Sequence, residues 1–316
     1  MKTSPKYLPS IAATLCLLFY SAAFAQSIPV DETTQRSTLT APVSPITLAP
    51  VGEAKSAFDN NNAQKEKNTW YFSWGYSRQQ YAPSDIHVSQ PSLGNDFTVH
   101  QAQASDFPSS IADTLSISDF PNLTGPQENV RIGKFMNPEQ TFAIEFALDH
   151  TKYNTNIGQT ARVTGTINGV PVDTNMVLNE QNFDYQLHNG LNHLMINAVW
   201  LHHLYGPKKN AGELQFISKV GAGILLPHAD NTIFGKQNQV GPKNKKICCG
   251  SGDWWQINGW TAGVEAGVRY FATKTIYLEL TGKVAYGALR SVPVYEGTAD
   301  QEIWMSEEVL SAGFLF

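Results

Sequence analysis

The chain of 316 residues carries a formal net charge of -5, with 16% charged and 11% aromatic residues and a mean hydropathy of -0.25. This hydropathy excludes a protein built of many membrane helices, and the aromatic content excludes disorder along the whole length. The mild acidity speaks against nucleic-acid binding, which usually requires a basic face.

The N-terminus has the pattern of a cleavable secretory signal. Lysines precede an apolar run over 11–24, which ends in a small-residue Ala-Phe-Ala site. The run is too short for a membrane-spanning helix, which needs roughly 20 residues. We therefore predict a signal peptide over 1–25. The following segment, 26–67, is rich in Ser, Thr, Pro, Asn and Gln, which predicts a flexible periplasmic tether.

From residue 68 onward, apolar residues alternate with polar or small ones, which is the two-residue period of β-strands. A soluble sandwich alternates in the same way. Here, however, the polar face is rich in small residues, and aromatic residues lie near the strand ends, as in membrane barrels. No later segment is apolar enough for a membrane helix, so a membrane form must be a closed barrel. We predict an all-β fold, an antiparallel transmembrane β-barrel over 68–316.

The connection lengths predict the topology of this barrel. Short turns on one side and long loops on the other are typical of outer-membrane barrels with an even number of strands. The eight predicted strands are 69–81, 128–137, 141–153, 191–205, 213–227, 256–271, 275–291 and 303–316. The second strand fits least well, because Lys134 falls on its apolar face. Two further alternating stretches, 95–103 and 160–168, form hairpins above the membrane or, alternatively, span it and raise the count to 10 or 12.

In this register several charged residues point into the barrel. A barrel of eight strands is narrow enough to be filled by its own side chains, and an isolated buried charge is costly. We therefore predict an interior ion-pair network, with a narrow or gated ion pathway as the alternative. A general diffusion porin is disfavoured because it needs roughly 16 strands. The predicted network consists of Arg131, Glu145, Lys219, Glu265, Arg269, Glu279 and Lys283.

Asp and His residues recur at the predicted extracellular strand ends. Polar residues are expected where strands meet water and lipid headgroups, so we assign no catalytic residue, no metal and no cofactor. Two alternatives stay open: Asp/His pairs that bind a divalent metal, or a general base at the outer leaflet. The candidates for that base are His87 and the neighbours Asp149 and His150.

Two adjacent cysteines, Cys248 and Cys249, remain once the signal peptide is removed. An oxidising compartment favours a disulfide, and neighbouring cysteines must close a strained ring. We predict a vicinal disulfide that stiffens the third long loop. Intermolecular bonding or ligation of a soft metal are the alternatives, whereas zinc spacing is absent from the sequence.

The last residues resemble the C-terminal signature of bacterial outer-membrane proteins, an alternating apolar face that ends in Phe316. In that group the barrel assembly machinery reads the last strand. The architecture resembles the transmembrane domain of OmpA-type proteins. The sequence words Ser-Asp-Ile-His at 84–87 and Gly-Leu-Asn at 190–192 are similar to words that recur in a group of uncharacterised outer-membrane barrels. These resemblances imply a location in the bacterial outer membrane.

The sequence therefore predicts a monomeric outer-membrane barrel with a structural or surface-interaction role. Its expected partners are membrane lipid, lipopolysaccharide and the barrel assembly machinery, with no nucleic acid. A lipid-modifying enzyme of the outer leaflet is the first alternative. His87-Val88-Ser89 resembles the His-x-Ser pair of lipid A deacylase barrels, although that family places its pair late in the chain. A small pore is the second alternative.

Overall fold

The computed structural model describes residues 69–106, 127–238, 247–248 and 255–316, with the backbone alone at 188–189 and 247–248. The predicted signal peptide and tether lie outside these residues, as does Cys249. Within the described ranges no helix is long and apolar enough to cross a membrane.

In the described ranges the elements are strands joined by turns, and a 3-10 helix, Pro91–Leu93, lies between the second and third strands. In chain order the strands are β1 (Trp70–Tyr81), β2 (Ser84–Gln90), β3 (Asn95–Ala102), β4 (Ala104–Ser105), β5 (Glu128–Phe135), β6 (Phe142–Thr155), β7 (Thr160–Ile167), β8 (Val170–Val177), β9 (Phe183–Asp184), β10 (Gln186–Tyr205), β11 (Leu214–Pro227), β12 (Thr232–Ile233), β13 (Lys236–Gln237), β14 (Ile247–Cys248), β15 (Trp255–Gln256), β16 (Gly259–Phe271), β17 (Ile276–Val294) and β18 (Gly297–Leu315).

Eight strands form a closed antiparallel ring. Their order is β1, β5, β6, β10, β11, β16, β17 and β18, and β18 pairs again with β1. The prediction of an eight-stranded barrel is confirmed. β10 and β18 begin earlier than predicted, at Gln186 and Gly297, because both continue beyond the ring at the end with the long connections. We call this the outer end, and the end with the short turns the inner end.

The register of the ring is staggered. A row of paired residues that starts at Ala312 on β18 passes through every strand and returns to β18 at Glu302, ten residues away. Such a stagger goes with strongly tilted strands, and with eight strands it gives an interior that side chains can fill.

The outward face of the ring is apolar. Large hydrophobic side chains stand exposed on all eight strands, as the lipid-facing wall of a membrane barrel requires. They include Trp70, Trp74, Ile132, Ile144, Phe146, Ile196, Trp200, Val220, Trp260, Val264, Val268, Tyr270, Ile276, Leu278, Leu280, Trp304 and Phe314.

Lys134, the poorest fit in the sequence, lies at the inner end of β5. Its Nζ is 5.3 Å from the centre of the Trp70 ring, a cation–π contact at the edge of the apolar wall. A long side chain in this place can keep its ammonium in the lipid interface. The position is therefore compatible with a membrane-spanning strand.

At the outer end, a second region of sheet continues beyond the ring. β1 ends at Tyr81, and after Ala82-Pro83 strand β2 continues along β18, from Ile86 opposite Gln301 onward. β3, β7 and β8 follow in order. The stretches 95–103 and 160–168 therefore lie in this sheet and not in the ring, which leaves the strand count at eight. We call β2, β3, β7 and β8 the surface sheet.

Two apolar layers lie at opposite ends of the barrel. At the outer end, the inward face of the surface sheet packs with loop residues and inward residues of the ring in one buried cluster; examples are Ile86, Val88, Phe97, Phe183, Leu191, Leu225, Leu289 and Met305. At the inner end, a smaller buried cluster crosses the ring; it consists of Tyr71, Phe135, Ala143, Val199, Leu201, Ile217, Phe271, Tyr277 and Leu315. The charged interior lies between them.

Two tyrosines of the inner layer lie directly over glycines of the neighbouring strand. Tyr71 is opposite Gly133, and Tyr277 is opposite Gly313. A Cβ built on Gly133 would be 2.1 Å from the ring of Tyr71, and one on Gly313 would be 2.3 Å from that of Tyr277. The rings therefore fit only because these positions have no side chain.

The barrel wall also has a gap between two strands, in which the carboxylate of Asp106 accepts hydrogen bonds from both. β5 begins at Glu128, whereas β1 and β6 on either side of it reach farther outward. In the gap, Oδ2 of Asp106 accepts a hydrogen bond from the backbone N–H of Gln79 on β1 at 2.8 Å, and Oδ1 accepts one from that of Lys152 on β6 at 3.1 Å. Burial raises the pKa of Asp106 to about 6, against the hydrogen bonds from Gln79 and Gln127 that favour the charged form.

We expect Gly133→Ala and Gly313→Ala each to lower the free energy of unfolding by about 1–3 kcal/mol, because the added methyl displaces a packed tyrosine ring. Gly282→Ala is the matched control, since a Cβ there meets nothing within 4 Å. Urea titration of protein in lipid vesicles, followed by tryptophan fluorescence, measures the three variants. Equal stability of all three would contradict the packing described.

The raised pKa of Asp106 predicts a pH dependence of stability. An unfolded aspartate has a pKa of about 4, so between pH 4 and 6 the folded protein binds more protons than the unfolded chain. Stability contributed by this group is therefore lost as pH rises through that window and is constant above it. Asp106→Asn should reduce the slope of stability against pH in this window, whatever its effect on absolute stability, whereas the exposed Asp173→Asn should leave the slope unchanged. Urea titrations from pH 4 to 8 compare the slopes.

Candidate functional site

The inward positions of the ring bring the seven predicted charged residues together in one buried network. At its centre, Nζ of Lys219 is 3.4 Å from Oε1 of Glu145, 3.0 Å from Oε1 of Glu265 and 2.9 Å from Oε1 of Glu279. Arg131 is 3.5 Å from Glu145 through Nε and 3.8 Å from Glu265 through Nη2. Lys219 and Arg131 therefore each face more than one carboxylate, which offsets the cost of burying them.

Two further carboxylates extend this network toward the outer end. Asp149 is ion-paired with Arg131 and, at 2.6 Å, with Nζ of Lys283. Lys283 also pairs with Glu307. Glu307 was absent from the predicted network, although counting back in steps of two from the inward Leu315 reaches it.

At the inner end of the network, Arg269 is held between two aromatic rings. Its guanidinium carbon is 4.9 Å from the centre of the Tyr71 ring and 4.0 Å from that of Tyr277. Its Nη2 is 2.7 Å from Oε2 of Glu279, and the hydroxyl of Tyr71 donates to Oε2 of Glu145 at 2.8 Å. The tyrosines thus connect the charged network to the inner apolar layer.

Asp149 and His150 do not form an acid–base pair. Neighbouring residues of a strand point to opposite faces, so Asp149 lies inside the barrel while His150 lies on the outward side. There Nδ1 of His150 is 2.7 Å from Oδ1 of Asn192. The sequence hypothesis of a general base with its orienting carboxylate at these two positions is therefore not supported by their geometry.

The histidines of the outer end have different partners from those suggested by their sequence neighbours. Nε2 of His87 is 2.8 Å from Oδ1 of Asp96 on the next strand. His193 points into the barrel, where its Nε2 is 3.3 Å from Nε2 of Gln79. Each of these histidines therefore contacts a residue of another strand and not the residue next to it in sequence.

One histidine that sequence reasoning missed has two polar partners on the surface sheet. Nδ1 of His100 is 3.0 Å from Oδ2 of Asp85, and its Nε2 is 2.7 Å from Oγ1 of Thr164. Partial burial opposes ionisation of Asp85, but hydrogen bonds from Gln101 and His100 lower its pKa. The sequence signal was the alternation of β3, which places His100 on the same face as Asp96.

Of the other predicted sites, Cys248 lies in the short strand β14 and is described by its backbone alone. The predicted disulfide with Cys249 falls outside the described residues. Phe316 is paired with the first strand: its backbone N–H donates to the carbonyl of Trp70 at 2.9 Å. Among the residues whose positions the structure gives, no group of three or more His, Cys, Asp or Glu side chains could hold a metal ion.

No protein-family model matches the sequence, and no curated protein sequence matches it. The fold is similar to the solved structure of Neisserial surface protein A (NspA), with 9% identity and a TM-score of 0.32 over 78% of this chain and 97% of that chain. It is also similar to the outer membrane protein OprG from Pseudomonas aeruginosa (9%, TM-score 0.34, 79% and 96%). A third similar structure is Ail, the attachment invasion locus protein of Yersinia pestis (9%, TM-score 0.32, 79% and 99%). At these values we draw nothing about function from the likeness.

We expect Asp149→Asn to lower the free energy of unfolding by about 3–5 kcal/mol, because Arg131 and Lys283 then lose a shared buried counter-charge. The matched control is Asp173→Asn, which breaks an ion pair with Arg162 that is exposed to water and should change stability little. Urea titration in lipid vesicles measures both variants. A small and equal effect would show that the interior pairs do not stabilise the barrel.

Proposed function

We propose that this protein is a sealed β-barrel of the bacterial outer membrane that anchors a folded surface sheet and acts through that surface. The role is structural or interactive, and the barrel carries no solute flow. The observation that carries the proposal is the interior: a buried ion-pair network lies between two apolar layers.

The interior argues against the pore alternative. Arg131, Lys219 and Arg269 are each no more than 4% exposed, although they lie in the middle of the ring. An ion that crosses the barrel would have to break several buried ion pairs and also pass two apolar layers. Each of these steps is costly in a medium of low dielectric constant.

The surface sheet supports a role outside the membrane. Its inward face contributes Ile86, Val88, Phe97 and Val99 to the outer apolar layer, whereas its opposite face is polar. A sheet with one buried and one wet face is a stable way to present side chains to the surroundings. Since β2 continues directly along β18, the barrel wall holds this surface in place.

The proposal includes the expected partners of such a barrel. The apolar wall fits membrane lipid, with lipopolysaccharide at the outer end, and the apolar face of the last strand, which ends in Phe316, fits recognition by the barrel assembly machinery. The architecture of a filled eight-stranded ring is in keeping with an OmpA-type transmembrane domain. The closed ring leaves no free edge in its wall, which is in keeping with a monomer.

We expect the protein to show no stable unitary conductance when it is inserted in planar lipid bilayers, with an open porin as the positive control. Insertion is verified on the same sample by faster migration on a gel when unboiled than when boiled, as expected of a folded barrel. Reproducible conductance steps from such a sample would overturn the sealed-interior proposal. An unboiled sample that migrates as unfolded chain, even after reconstitution, would overturn the barrel itself.

A further inference from the structure

Three polar side chains meet on the outward face of the surface sheet, on the opposite side from its apolar core. They are Asp85 on β2, His100 on β3 and Thr164 on β7, three neighbouring strands. His100 is in the middle, at 3.0 Å from Asp85 and 2.7 Å from Thr164. The side chains of His100 and Asp85 are 31% and 48% exposed, so water and solutes reach them.

The partners of His100 determine which nitrogen carries the proton. An ionised carboxylate can only accept hydrogen bonds, so Nδ1 of His100 donates to Asp85. In the neutral ring Nε2 is then an acceptor, and the hydroxyl of Thr164 donates to it. In this arrangement a histidine can take the proton of a hydroxyl as that hydroxyl attacks, while a carboxylate holds the ring in place.

The backbone is irregular at this cluster. The register between β2 and β3 shifts between Ser84 and Ile86, so that Asp85 lies across from a bulge at His100 and Gln101. Gln101 has φ 52, in the left-handed region, and its N–H donates to Oδ1 of Asp85 at 2.8 Å. Bulges redirect side chains and are frequent next to active sites. Here the bulge orients His100, and the N–H of Gln101 holds the carboxylate of Asp85 in place.

A second irregularity lies beside Thr164. Gly165 has φ 126, a conformation that other residues rarely adopt. A Cβ at this position would be 2.3 Å from the carbonyl oxygen of Asp96. Strained backbone tends to gather at functional sites. A regular polar ladder across three strands requires neither the bulge nor this glycine.

We propose that Asp85, His100 and Thr164 form an acyl-transfer site that accepts a short acyl group from a carboxylic ester. Oγ1 of Thr164 bonds to the carbonyl carbon as its proton passes to Nε2 of His100. The bond from that carbon to the alcohol oxygen breaks, and the alcohol leaves with the proton from His100. Thr164 now carries the acyl ester, and water releases it as a carboxylic acid, with His100 again moving the proton.

The chemistry of the surrounding face defines the substrate class. Thr98, Thr166 and Asp173 share the outward face with the three residues, and the sheet is open to solvent there. A long acyl chain would gain no burial on such a surface, so the site suits small, water-soluble esters. Asp85 is a positioning residue in this reaction, since it acts through His100. The proposal is independent of the sealed barrel interior.

The test uses the full chain folded in detergent micelles and p-nitrophenyl acetate as the probe. We expect release of p-nitrophenolate together with an acetyl ester on Thr164, located by mass spectrometry of peptides from acid-quenched protein. Thr164→Ala should abolish this adduct, and Thr164→Ser should retain it. His100→Ala should slow acylation about 100-fold or more, the usual contribution of a general base. Asp85→Asn should slow it and shift the lower limb of the pH–rate profile to lower pH.

Two matched controls separate this chemistry from general surface reactivity. Thr98 lies opposite Thr164 on the same face and, within the described ranges, has no hydrogen bond to a histidine, so it should stay unlabelled. His87→Ala removes a histidine that pairs with Asp96 and should leave the labelling rate unchanged. Absence of the Thr164 adduct, equal labelling of Thr98, or a rate insensitive to His100→Ala would overturn the proposal. Gel migration of unboiled samples verifies that each variant is folded.

Discussion

Charge burial inside a narrow ring is the constraint on which the rest of this structure depends. Lys219 alone faces three carboxylates from three different strands, and Lys283 joins Asp149 on β6 to Glu307 on β18. Ion pairs that cross the lumen hold the strands in one register, because a slip of one residue would turn these charges toward lipid. The same register places the apolar side chains on the outside of the ring. One alternation of inward and outward side chains therefore gives both the interior ion pairs and the membrane-facing surface.

The apolar layers at both ends follow from the same constraint. An ion pair is strong only where water is kept away from it, and Tyr71 and Tyr277 close the inner end while remaining in contact with Arg269. At the outer end, the surface sheet and the loops supply the closing layer. The surface region is therefore part of the stability of the barrel, and its removal would expose the network to water.

The two-residue period was enough to predict the ring, because every long strand keeps one apolar face. It also identified seven charged residues that the structure brings together. The period alone did not predict contacts that depend on how the strands are paired. The Asp149-His150 neighbours predict a rim position for Asp149, although the alternation that places Glu145 inward also places Asp149 inward. Glu307 is followed by a second acidic residue, Glu308, so the polarity of the two side chains does not indicate which of them points into the barrel. The contact of His100 with Asp85 and Thr164 requires a bulge that no periodicity reports.

When the interior of a barrel is filled, a functional site has to lie outside the ring. Since the network and the two apolar layers occupy the ring, polar side chains that meet water are presented on the strands that continue beyond it. β18 pairs with β1 inside the wall, up to Tyr81, and with β2 above it, from Ile86 onward. The surface sheet thus begins on a strand whose position the barrel fixes. A group such as His100, on the second strand beyond β18 of the barrel wall, gains orientation from that connection, which a free loop would not provide.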